Sequence, residues 1–114
     1  MEDYELGAIV AERALYDSGG EVIRITIGAP QFISEKYGFF CPYKIWGFGD
    51  DKLRRAAGGL DAVHAIQLVL QKIATEIHIL NEANGNALRW EGGEDGDTGF
   101  PMSEDVRAIM EKKE

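Results

Sequence analysis

Residues 61–82, DAVHAIQLVLQKIATEIHILNE, restrict the fold more than any other stretch of the chain. Val63, Ile66, Leu70, Ile73, Ile77 and Leu80 recur at steps of 3, 4, 3, 4 and 3. That spacing aligns them along one side of an α-helix. Leu68, Val69 and Ile79 widen the apolar stripe, so the helix needs a broad partner such as a β-sheet. Asp61 stands where an N-cap belongs, with Leu60 before it as a hydrophobic staple. Asn84-Gly85-Asn86 supplies residues tolerant of positive φ, which end helices. At about 1.5 Å per residue the rod is about 33 Å long, enough to cover a small domain.

The sheet comes from the preceding half of the chain. Ile23, Ile25 and Ile27 alternate with Arg24 and Thr26, the period-2 mark of a strand with its odd face on the helix and its even face toward solvent. Residues 6–16 form an earlier strand, joined to it by the turn Asp17-Ser18-Gly19-Gly20. Gly28-Ala29-Pro30 ends the second strand, and residues 31–38 read as a loop carrying Phe32, Ile33 and Tyr37. In a third strand, 39–48, Cys41, Tyr43 and Ile45 project to one side. Phe40, Pro42, Lys44, Trp46 and Phe48 project to the other, and Pro42 implies an edge, a bulge or an outward-facing backbone. Residues 52–57 make a short fourth strand, and 87–91 a fifth with Leu88 and Trp90 on one face. The expected organisation is a single α+β domain over 1–114. Strands occupy 1–58, the long helix 61–83, a strand 87–91, a Gly-rich acidic loop 92–102 and a short helix 103–112. An antiparallel sheet of four to five strands packs against the long helix.

Charge restricts function. Twenty Asp and Glu against twelve Lys and Arg give a formal net charge of −8, which argues against nucleic acid and against anionic membrane surfaces. A basic protein partner is compatible with it. Cys41 is the single cysteine, so no disulfide is expected within the chain, and its apolar neighbours favour an inert thiol. The opening MEDYELGAIV starts acidic and is not expected to act as a signal peptide. No apolar run is long enough for a membrane span. A cytoplasmic location is expected.

Each candidate site competes with a structural role. Glu91, Glu94, Asp95 and Asp97 lie within seven residues beside four glycines, and cation sites gather such oxygens. In an EF-hand frame Asp95 and Asp97 fit positions 1 and 3, but Gly99 falls at 5 and Val106 at 12. No metal or cofactor is therefore expected, and a solvated Gly-rich loop is preferred. His64 and His78 would stand about 21 Å apart on the helix and cannot share a metal. His64 belongs near Asp61 in the first turn, and His78 pairs with Glu82 at i, i+4. Gly47-Phe48-Gly49-Asp50-Asp51 lacks the lysine-serine pair of a phosphate loop and is a turn. Arg24, Lys44, Arg54 and Arg55, with Trp46, either form a basic outer face or pair with Glu12 and Glu21, the latter being preferred. No catalytic set emerges. The residues singled out for binding are Trp46, Arg54, Arg55, Trp90, Glu94, Asp95 and Asp97. Phe100 is expected to dock near Trp90 or the end of the long helix and to order the loop before it.

The segments IGAP (27–30), CPYKIWGFGDD (41–51), GLDAVHAIQLVL (59–70) and LRWEGGEDGDTGFP (88–101) together resemble a family of small bacterial proteins of unknown function. Its motifs include a CPY-x-I-x-G strand and a W-x-GG-x-x-GDTGFP tail. The similarity covers residues 20–102, and the tail motif is the most specific. It implies a hairpin sheet with one long helix and implies no activity.

The function expected is a non-catalytic protein-binding module, of which an acidic immunity-type neutraliser of a basic toxin is one form. The alternative is a small-ligand or metal-binding domain, or a small enzyme, using the acidic loop 91–99. A further alternative is a structural homodimer that buries the aromatics of the third strand.

Overall fold

The computed structural model describes residues 6–47, 53–83 and 85–101. Five strands precede one helix: β1 (Ile9–Asp17), β2 (Gly20–Gly28), β3 (Gln31–Ser34), β4 (Gly38–Gly47), β5 (Leu53–Gly59) and α1 (Ala62–Ala83). Every strand pairing is antiparallel, and the fold is α+β. The expected short helix at 103–112 lies outside the described residues.

β4 organises the sheet. β5 pairs with it from Phe39 to Ile45, which occupies one edge. β2 pairs with Tyr43 to Gly47 and β3 with Gly38 to Phe40, so these two share the other edge. They act as one long strand broken at Ala29-Pro30. Spatially the sheet is therefore a meander, four strands wide, with β1 outermost on the side of β2. The segment read from sequence as a loop, 31–38, contains β3; Pro30 has no N–H to donate, but pairing resumes at Gln31.

The core lies between the sheet and α1. Leu15, Ile23, Ile25, Ile27, Cys41, Tyr43 and Ile45 meet Ala65, Val69, Ile73 and Ile77 from the helix, with Leu88 closing one end. Apart from Ala74, the buried helix residues follow steps of four, Ala65, Val69, Ile73, Ile77 and Asn81. The expected stripe through Val63, Ile66 and Leu70 is thus turned by part of a residue step. Val63 is exposed, and Ile66 and Leu70 are half-buried. The cause is the close crossing of β5 and α1, where a Cβ on Gly59 would lie 2.4 Å from the amide nitrogen of Ala65. Only glycine lets the helix sit so near, and this rotates small Ala65 inward.

Asp61 caps α1, its Oδ1 accepting from the His64 amide at 2.8 Å, while His64 Nδ1 accepts from the Leu60 amide at 2.9 Å. Leu60 is 85% exposed, so the expected staple does not form. His78 pairs with Glu82 at 3.3 Å, as its i, i+4 spacing implies. Tyr43, fully buried, donates to Glu76 Oε2 at 2.6 Å across the sheet–helix interface. Cys41 is also fully buried, with its thiol donating to the Gly28 carbonyl and its pKa raised by burial. Among the described residues no helix is long and apolar enough to cross a membrane.

Candidate functional site

The Gly-rich stretch after α1 is an ordered loop wrapped around Trp90. Its backbone closes on itself. The Trp90 amide donates to the Asp97 carbonyl (2.9 Å), Gly93 to Trp90 (3.0 Å), and Asp97 to Glu94 (2.9 Å). Gly96 donates to the Leu88 carbonyl at 2.8 Å. The glycines are required by contact with the indole. A Cβ on Gly92 would stand 2.7 Å from the ring, and one on Gly93 2.8 Å. The Asn81 side chain, at the end of α1, clamps the base of the loop. Its Oδ1 accepts from the Leu88 amide at 3.0 Å and its Nδ2 donates to the Gly96 carbonyl at 3.3 Å.

Arg13 pins the other side. It pairs with Ile25 in the β1–β2 ladder and so stands on the helix-facing side of the sheet. Its guanidinium lies 5.0 Å from the Trp90 ring centroid and 4.8 Å from that of Phe100, and Nη1 donates to the Thr98 carbonyl at 3.2 Å. Each ring contact is worth about 0.5–1 kcal/mol at a partly exposed site. Trp90 and Phe100 pack on the core. Phe100 therefore docks near Trp90, one of the two places expected, with an arginine as the bridge.

This clamp holds the acidic side chains outward. Glu91, Glu94, Asp95 and Asp97 are all exposed. Asp97 Oδ1 accepts from the Gly99 amide at 2.9 Å, closing an Asx turn, and Asp95 reaches Arg89 only at 3.8 Å, with its side chain 77% exposed. Among the described residues no three His, Cys, Asp or Glu side chains converge as cation ligands.

A family model described as a domain of unknown function, DUF6968, matches residues 11–102. The chain is a DUF6968 member. The DUF6968 span starts inside β1, so it takes in Arg13 and extends further toward the N-terminus than the motifs alone suggest. It also contains Asn81, the Trp90 loop and Phe100. No curated protein and no solved structure matches the chain.

The residues singled out from sequence do not gather at one place in this DUF6968 domain. Trp90, Glu94, Asp95 and Asp97 come together in the loop on the helix-facing side. Trp46 lies on the opposite face of the sheet, where Lys44 Nζ sits 3.5 Å from its ring centroid. Arg54 and Arg55 occupy consecutive positions of β5, paired with Lys44 and Tyr43 respectively, so the two positions do not share a face. Arg24 pairs with Glu12 (3.3 Å) and Glu21 (3.0 Å), the arrangement preferred from sequence. That outer face is not uniformly wet. Thr26 and Lys44 are only 5% and 8% exposed, and the Leu6 backbone passes so near Gly28 that a Cβ there would lie 2.0 Å from its carbonyl oxygen.

Sequence reasoning missed Arg13 and Asn81. Both carried a signal. Arg13 shares its strand parity with Leu15, an inward position, and Asn81 continues the row of four that ends Ile73, Ile77. A polar residue at an apolar position needs a partner.

Proposed function

We propose that this DUF6968 domain is a non-catalytic protein-binding module for a basic partner, working in a bacterial cytoplasm, with toxin neutralisation of the immunity type as its specific form. The motif resemblance supports the bacterial setting. The supporting observation for the module is the way its charges are spent. Arg13 is stacked between Trp90 and Phe100, Arg24 is held by Glu12 and Glu21, and Lys44 lies over Trp46. The carboxylates of Glu91, Glu94 and Asp95 stand exposed on a loop whose backbone is fixed. With a net charge of −8, the accessible field is negative and preorganised, which speeds encounter with a cationic surface and limits the entropy lost on binding.

Site-specific photo-crosslinking from position 95 in the producing cell, followed by reconstitution with the purified partner, tests the reading. The partner should be basic, and binding should weaken with salt. The double reversal Glu94→Lys, Asp95→Lys should weaken it at least tenfold. An affinity indifferent to both salt and reversal would overturn the proposal.

The small-ligand and metal alternative makes the opposite forecast for titration calorimetry with calcium, magnesium and zinc. We expect no heat beyond dilution, because the loop carboxylates diverge. A micromolar affinity abolished by Asp97→Asn would put the metal reading first.

A further inference from the structure

We infer that the outer edge of β1 is a strand-addition site for an extended, basic segment of the partner, one of whose apolar side chains enters the cleft beside Phe100. This rests on the protein-binding reading and gives it a surface and a geometry.

β1 is outermost, and its inner edge is taken by β2. On the outer edge the Tyr16 amide donates to the Arg89 carbonyl at 2.8 Å and the Arg89 amide returns to Tyr16 at 2.9 Å. Tyr16 therefore directs its backbone groups outward, and in an antiparallel strand Ala14 and Glu12 do the same. Among the described residues nothing pairs with the backbone of those two positions. Ile9 and Val10, further along the strand, are 45% and 55% exposed. An edge left unpaired in this way is a template for another strand.

The surroundings specify which strand. On the helix-facing side a cleft of about 220 Å³ opens beside Ala11 and Arg13, lined by Ile27, Leu70, Phe100 and Pro101. Small Ala11 leaves the space, and the lining accepts one apolar side chain. The acidic loop runs alongside, from Arg89 at the level of Tyr16 to Thr98 at the level of Arg13. It carries exposed Glu91, Glu94 and Asp95. Backbone pairing, one apolar pocket and a carboxylate rim together fit a segment in which basic residues alternate with apolar ones. A second copy of this chain fits poorly, because pairing two edges sets −8 against −8.

The acetylated, amidated heptapeptide Lys-Val-Lys-Leu-Lys-Val-Lys serves as the probe, titrated into the isotope-labelled full chain and followed by amide shifts and hydrogen exchange. Shifts and new protection should appear at residues 9–14. N-methylation of alternate peptide residues, which removes the pairing N–H groups but keeps the charge, should weaken binding at least tenfold. Ala14→Pro should do likewise, since it deletes an outward N–H and leaves the β1–β2 ladder intact. The N-methylated peptide keeps the test valid should that variant fold badly. Equal binding of the N-methylated peptide, shifts centred on Trp46, absence of binding, or a dimer that protects β1 without peptide would each overturn the edge site. Those results leave the basic-partner reading to the charge reversal at Glu94 and Asp95, so the two failures are distinguishable.

Discussion

Ile73→Ala should lower the unfolding free energy by about 3–5 kcal/mol, the upper part of the range for a large aliphatic residue truncated in a close-packed core. Ile73 is fully buried at the centre of the row from Ala65 to Asn81, within the cluster that joins the helix to β2 and β4. The sheet side is formed by strands whose own register fixes Ile25 and Tyr43, so the cavity has little means of collapsing. Leu70→Ala should cost less, about 1–3 kcal/mol, because Leu70 is half-buried and already borders the cleft beside Phe100. Small domains have only about 5–15 kcal/mol of stability in all, so the first change removes a large share of it. Urea melts of both variants give the comparison. A loss below about 0.5 kcal/mol for Ile73, or a larger loss for Leu70 than for Ile73, would mean that the helix presents another face to the sheet.

The features legible in the sequence were those with a local period. Ile23, Ile25 and Ile27 gave away β2, and the apolar recurrence from residue 63 to 80 gave away α1, because each pattern is set by burial of a single face. What escaped was decided by distant partners. The expected strand at 87–91 is reduced to one bridge, Tyr16 with Arg89, for a specific reason. The Leu88 amide is captured by the Asn81 side chain and the Trp90 amide by the Asp97 carbonyl. Those bonds turn the chain into the helix end and the loop on either side of Arg89, and among the described residues positions 87 and 91, the next that would face β1, form no bridge with it. β3 was hidden by Pro30, which reads as a terminator, although here it interrupts one long partner of β4. In the candidate site, the tail motif places Trp90, Asp95 and Asp97 in one loop. Arg13, the pin for that group, precedes the Thr98 carbonyl it binds by 85 residues. Nothing local to β1 could reveal that distance. The grouping of Arg54 with Arg55 neglected the alternation of a strand, which separates consecutive positions between faces.

Asn81→Leu should release the acidic loop while leaving the sheet folded. Asn81 is 5% exposed and makes three of the hydrogen bonds that fix the base of the loop. Its Oδ1 accepts from the Leu88 amide, its Nδ2 donates to the Gly96 carbonyl, and its own carbonyl accepts from the Asn86 amide at 2.7 Å. Leucine keeps similar bulk but leaves the buried Leu88 N–H without an acceptor, a penalty of about 1–3 kcal/mol. The cheapest escape is for residues 85–97 to move off the helix end and let water reach that amide, a local opening that spares the core. Amides of Trp90, Gly96 and Asp97, which are bonded within the loop, should then exchange at least tenfold faster. Those of Ile25 and Tyr43 should change only as global stability does. Asn81→Asp separates the two bonds, because it retains the acceptor for Leu88 and sets a carboxylate against the Gly96 carbonyl. Its exchange increase should centre on Gly96 and Asp97. Unchanged protection of the loop in Asn81→Leu would show that Arg13 and Phe100 alone hold it. If the loop is released, the fixed presentation of Glu94 and Asp95 is lost with it, and affinity for a basic partner should fall although no acidic residue has been altered.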